Sequence, residues 1–213
     1  MTKVGGVPWW PRGRSRPRCE HGHGMAFMAQ VRLSDVPTLA DDGGLLSFHY
    51  CLACAEAGRM SFGQGDEQNR GYAVTLIENA AVAPDGLGIV APGCLPSATA
   101  GFSDTDEVLG PEDAWALDLE PSPDLFSEGD DDFDENVGLG LIHVARSKVG
   151  GWPHWQQTPE WPTCHEDRRM TFVMQVDYDL GEASPWGGGG YAYLFVCGPQ
   201  CRHREADLVV QTS

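Results

Sequence analysis

The chain has 213 residues, 41% of them hydrophobic and 21% charged, with a formal net charge of −17. That composition supports a buried core in one compact domain or two small halves and excludes disorder throughout. Its 27 glycines and 15 prolines favour turns and short strands over an all-helical bundle, and the longest apolar stretch, residues 191–197, falls far short of the roughly 20 residues of a spanning helix.

In chain order, residues 1–17 bring Gly, Pro, Trp and Arg without an apolar core stretch. They do not read as a secretory signal, so a cytoplasmic protein with no membrane partner is expected. Lys3, Arg12, Arg14, Arg16 and Arg18 lie beside Trp9 and Trp10, a pattern of phosphate contacts with stacking rings. With a pI near 4.5, pairing of these cations with acids of the same chain is the better account, and nucleic acid is not the expected partner. Residues 25–31 alternate as a half-buried strand, Met25, Phe27, Ala29 and Val31 against Ala26, Met28 and Gln30. Residues 45–51 and 72–77 are rich in aromatic and β-branched side chains and read as further strands. Residues 111–119, opened by proline, form the best helix candidate, and strands are expected again at 139–144, 170–176, 191–197 and 208–211.

The charge is uneven. Residues 71–145 contain no Lys or Arg and hold 16 acids. The densest run, Glu128, Asp130, Asp131, Asp132, Asp134 and Glu135 around Phe133, reads as a solvated loop. A docking surface for a basic partner is the second reading. A calcium loop is a poorer one, because the ligand alternation, central glycine and closing glutamate of an EF-hand are missing.

Self-similarity organises the rest. The segment Lys3-Val4-Gly5-Gly6-Val7-Pro8-Trp9-Trp10 returns as Lys148-Val149-Gly150-Gly151-Trp152-Pro153-His154-Trp155, at an offset of 145. The same offset matches Pro17 with Pro162, Cys19 with Cys164, Met25 with Met170, Phe27 with Phe172, Gln30 with Gln175 and Val31 with Val176. A one-residue shift then matches Gly43-Gly44 with Gly189-Gly190 and Cys51 with Cys197. The expected architecture is α+β, predominantly β. It is a single domain spanning 1–213, built of repeat 1 (3–76), an acidic insert (77–147) and repeat 2 (148–213), with the repeats packed about a pseudo-twofold.

Six of the seven cysteines fall into two triplets, Cys19, Cys51, Cys54 and Cys164, Cys197, Cys201, leaving Cys94 in the insert. His21 and His23 follow Cys19, and His165 and His203 flank the second triplet, so each repeat offers Cys/His ligands for structural zinc. Reduced buried thiols packing as small hydrophobes and a disulfide within each unit are the alternatives. Bound zinc contributes on the order of 10 kcal/mol to folding at such a site, so loss of Cys51 is expected to unfold its half.

Catalytic signatures are missing: there is no G-x-S-x-G elbow, P-loop or dinucleotide fingerprint. The glycine run at 187–190 precedes a strand and reads as a turn. No catalytic residue is assigned, and an enzyme is the lesser reading, a metal-dependent hydrolase or thiol redox protein using Cys51 and Cys54. Trp9, Trp10, Trp152 and Trp155 either line a groove for a partner or cover the core, and the acids Glu128 and Asp130 to Asp132 are the other candidate partner surface. Gln30 and Gln175, polar inside apolar strands, read as structural pins, and His49 and His154 as packing or surface residues.

The pattern Lys-Val-Gly-Gly-x-Pro-x-Trp, Pro-x-Cys, Met-x-Phe-x-x-Gln-Val and an apolar strand ending in Cys resembles the YwqG-like bacterial domain of unknown function. It resembles more distantly the eukaryotic programmed cell death protein 2 group. The stretch Phe27-Met28-Ala29-Gln30-Val31-Arg32-Leu33-Ser34-Asp35, followed by Gly44-Leu45-Leu46-Ser47-Phe48, is especially similar. The resemblance implies a duplicated β-rich fold without established enzymatic activity. Its eukaryotic members act as chaperones of a ribosomal protein, and its bacterial ones have been proposed as immunity proteins. Where relatives often carry Cys-x-x-Cys, this chain has Cys19-Glu20-His21-Gly22-His23 and Cys164-His165-Glu166-Asp167. The expected function is a cytoplasmic module that binds another, basic protein.

Overall fold

The computed structural model describes residues 2–4, 8–11, 13–59, 71–78, 115–116, 147–177 and 189–212. The chain divides into two units, Met1–Ser34 with Asp41–Leu117, and Asp35–Ala40 with Asp118–Ser213. The acidic run, Cys94 and the strand expected at 139–144 lie outside the described residues.

The first unit is an antiparallel sheet. Its strands are β1 (Lys3–Val4), β2 (Ala26–Arg32), β3 (Leu45–Tyr50), β4 (Tyr72–Ile77) and β5 (Trp115–Ala116), in the order β4-β3-β2-β1-β5. One short helix, α1 (Leu52–Glu56), follows β3. In the second unit β6 (Lys148–Val149), β7 (Thr171–Asp177), β8 (Tyr191–Val196) and β9 (Ala206–Gln211) pair antiparallel in chain order. The protein is therefore mostly β, with few helices. Among the described residues no helix is long and apolar enough to cross a membrane.

The helix expected at 111–119 is corrected where it is described: Trp115–Ala116 is a strand on the outer edge of β1, with Val4 opposite Trp115. A two-residue edge strand offers unpaired backbone groups, and pairing with them overrides a weak local helix preference. The half-buried reading of residues 25–31 also changes. All five interior residues of β2 are buried, as are those of β7. The two-residue period breaks at a bulge, because Phe27 pairs with His49 and Ala29 with Phe48, which leaves Met28 as the extra residue. In β7 the pairs Phe172 with Phe195 and Met174 with Leu194 leave Val173 in the same role.

Buried glutamines tie each Trp-Pro segment to its sheet. Trp9 N–H donates to Gln30 Oε1 at 2.9 Å, and His154 N–H donates to Gln175 Oε1 at 2.7 Å. The far end of each strand is held alike: Arg32 N–H donates to Thr2 Oγ1, and Asp177 N–H to Ser147 Oγ. All four residue pairs are related by the offset of 145 read in the sequence. Gly150 permits one close approach, since at φ +71 a Cβ there would stand 2.8 Å from Pro37 Cδ.

The core of the second unit gathers Trp155, Phe172, Tyr191, Tyr193, Phe195 and Val209 with Cys164, Cys197 and Cys201. In the first unit Cys19, Met25, Cys51 and Cys54 pack as one cluster, and Trp9 and Trp10 lie against Leu45 and Ile77 in another.

Candidate metal centres

A tight hairpin sets the first centre. Cys19 N–H donates to His23 O at 3.0 Å, Gly22 N–H donates to Cys19 O at 2.9 Å, and Arg18 bridges to Gly24 just outside. Gly22 sits at φ +81, where a side chain would be strained, and Arg18 donates across the turn to Gly22 O at 2.7 Å. The other two thiols come from the end of β3. Cys51 closes the strand and caps α1, whose single turn carries Cys54 back toward it.

These elements gather Cys19, His23, Cys51 and Cys54 with all four donor atoms within 4.8 Å of one another. His23 Nδ1 lies 3.5 Å from Cys19 Sγ, 3.8 Å from Cys51 Sγ and 3.8 Å from Cys54 Sγ, and Cys54 Sγ lies 3.7 Å from Cys19 Sγ. Zinc bonds of about 2.3 Å to sulfur and about 2.05 Å to nitrogen, set tetrahedrally, put sulfurs about 3.8 Å apart and sulfur and nitrogen about 3.6 Å apart. The observed spacings are the edges of that tetrahedron. The group is geometrically suited to zinc.

The ionisation of the thiols shows what a cation there would offset. Burial raises the Cys19 thiol, but hydrogen bonds from the His23 backbone and from Cys51 and Cys54 bring it below its ordinary value. Burial then pushes Cys51 up to about 12 and Cys54 upward, with Cys19 adding to the rise in both. One thiolate is favoured, and further ones repel it unless a positive ion stands between them. His21 lies outside the four, its Nδ1 3.5 Å from Cys54 Sγ and 3.8 Å from Glu20 Oε1.

The second centre starts from a matching hairpin. Cys164 N–H donates to Arg168 O and Asp167 N–H to Cys164 O, both at 2.9 Å, with a bridge from Thr163 to Arg169. Asp167 takes the left-handed position, φ +55. Cys164, Cys197 and Cys201 come together, with Cys164 and Cys201 sulfurs 3.9 Å apart. Among the described residues no fourth donor joins them. His165 turns instead to Glu205, its Nδ1 2.9 Å from Oε1. His203 stands with its ring centroid 5.8 Å from that of His165. The ionisation pattern repeats: Cys164 lies below its ordinary value and burial pushes Cys197 up to about 12.

The offset of 145 explains the difference. It places Glu20 against His165 and His23 against Arg168. Proximity along the chain pointed to His165 as a ligand, whereas hairpin position decides which residue faces the thiols.

Trp155, Trp152 and Trp10 are engaged within their units. Trp155 is buried in the core, stacked on Phe195 with centroids 6.0 Å apart. Trp152 meets Trp161 edge-on at 5.0 Å, with Arg169 3.6 Å over the Trp161 ring. Trp10 is half-buried, donates Nε1 to Arg14 O at 2.9 Å and carries the Arg14 guanidinium over its ring.

A family model described as a domain of unknown function, DUF1963, matches residues 2–140. That span contains the whole first centre, and the second lies beyond it. No curated protein matches the chain.

Proposed function

The chain belongs to the DUF1963 family, and on that premise we propose that it is a non-catalytic protein-binding module, chaperone-like or immunity-like, held together by structural zinc. One observation carries the reading. The first centre supplies four protein donors at tetrahedral spacing, and a closed set of four is the structural arrangement, whereas catalytic zinc keeps a position for water or substrate. The rival use of Cys51 and Cys54 asks for an open coordination position in metal-dependent hydrolysis or for an accessible thiol of lowered pKa in redox chemistry. Cys51 is buried and pushed the other way.

The two units are read as copies of one ancestral unit, an account supported by the matched bulges, glutamine ties and cysteine hairpins. The signature shared with the YwqG-like domain and the programmed cell death protein 2 group supports a protein client. The acids of 77–147 favour a basic one in the cytoplasm, and Trp9, Trp10 and Trp152 are the ring candidates for its surface.

Native mass spectrometry of the full chain, purified without chelator, tests both parts. Zinc retained in the folded ions and a co-purified basic protein are expected, and deletion of residues 122–136 weakens retention of that protein. A bare mass removes zinc from the account, and retention unchanged by the deletion removes the acidic surface.

A further inference from the structure

The two cysteine hairpins share their hydrogen bonds and differ in one donor. The imidazole of His23 closes the first set, and at the corresponding position of the second hairpin stands Arg168. A guanidinium stays protonated and has no lone pair to give a metal. Among the described residues neither histidine beside the second triplet replaces it: His165 Nδ1 is held 2.9 Å from Glu205 Oε1 with its backbone N–H also facing Glu205, and His203 is not among the gathered donors.

We infer that Cys164, Cys197 and Cys201 form a three-thiolate metal site whose fourth coordination position takes a donor from outside the chain, a small-molecule thiolate. The inference rests on reading the cysteine groups as zinc sites. Three sulfur donors make the ion soft and favour a soft fourth partner. Three thiolates around a dication leave one net negative charge; Arg168 Nε lies 3.6 Å from Glu166 Oε2, Arg202 N–H donates to Glu166 Oε1 at 2.8 Å, and Arg204 donates to Cys197 O at 3.3 Å. Arg204, which contacts the centre directly, lowers the cost of adding another anion, while the charge of Arg168 is shared with Glu166. The step is a ligand exchange: the incoming thiol releases its proton to solvent, its sulfur bonds to the metal, and a water bound there leaves. No electron changes hands.

Cobalt(II), which reports its ligands through visible absorption, tests this on the full chain kept reduced with a phosphine. Wild type is expected to bind two cobalt ions, and added 2-mercaptoethanol to shift the bands of one. The Cys164→Ser variant should retain a single cobalt that does not respond. The Arg168→His variant removes no ligand, so it carries the test if Cys164→Ser does not fold. It should bind two ions and lose the response, because an imidazole now closes the set. Two ions without any thiol response in wild type, or an Arg168→His protein that responds as wild type does, would overturn the inference. So would a wild type with one ion that Cys164→Ser retains. A wild type holding one responsive ion, lost altogether in Cys164→Ser, would uphold the second site while removing the first.

Discussion

Against Trp10 the first unit places His49, edge-on at 5.2 Å; against Trp155 the second places Phe195 at the corresponding strand position. Two neighbours change with it. Ser47 stands where the second unit has Tyr193, and Arg16 where it has Trp161. In the second unit the Tyr193 hydroxyl donates to His154 O at 2.6 Å and accepts from Gln156 N–H at 3.1 Å, while Trp155 Nε1 is buried without a partner among the described residues. In the first, Ser47 Oγ and both ring nitrogens of His49 are buried without a partner among the described residues. The unit with four metal donors thus has the more polar sheet face, and the unit with three has the aromatic one. On the proposed zinc reading, two sheets of matching register distribute their stability differently, the first leaning on a metal held by four donors and the second on ring packing.

The largest effect is expected at the first centre. Cys54→Ser should abolish its zinc and with it a folding contribution on the order of 10 kcal/mol, so that the first unit unfolds. Metal content and near-ultraviolet circular dichroism would check this, and a variant that keeps a native signal without zinc would break the comparison. Phe195→Ala should cost the second unit about 3–5 kcal/mol through the cavity it leaves among Trp155, Trp161 and Phe172. His49→Ala at the matching position should cost clearly less in the same denaturant titration.

Gln30→Ala and Gln175→Ala each strip the acceptor from a Trp-Pro segment N–H, and each should cost about 1–3 kcal/mol. Similar values from chemical denaturation would show that this tie serves both units alike. The smallest effect, and the only stabilising one, is His49→Phe at about 1 kcal/mol, since it removes a buried imidazole without hydrogen-bond partners among the described residues. It should also change the pH dependence. Burial, with Arg16 adding to it, holds His49 down at about 3 in the folded protein. Unfolded, the ring binds its proton near the ordinary value of about 6.5. The unfolded state therefore takes up the proton first, and His49 costs stability progressively as pH falls from the ordinary value toward 3. Thermal melts of His49→Phe should lose that part of the acid slope, and identical slopes would contradict the assignment.

Much of this was legible in the residues. The long strands follow from aromatic and β-branched runs, and the strand expected at 72–77 coincides with Tyr72–Ile77. The bulges at Met28 and Val173 were not, because an extra residue leaves no mark in an apolar run whose two faces are both buried. Two-residue strands such as Lys3–Val4 and the five-residue α1 are too short for any period to show. In the first centre Cys19, His23, Cys51 and Cys54 were all among the predicted ligands, yet the choice between His21 and His23 waits on the hairpin that turns one of them inward. The second centre had a readable clue, since the offset that pairs Cys19 with Cys164 also pairs His23 with Arg168.

The central claim, that the first unit depends on its metal and the second on its rings, is tested most directly by hydrogen exchange resolved along the chain, with and without a chelator. The account predicts that chelation strips protection from the amides of Ala26–Arg32 and Leu45–Tyr50 while those of Thr171–Asp177 and Tyr191–Val196 keep most of theirs. Equal loss in both units, or none in the first, would contradict it.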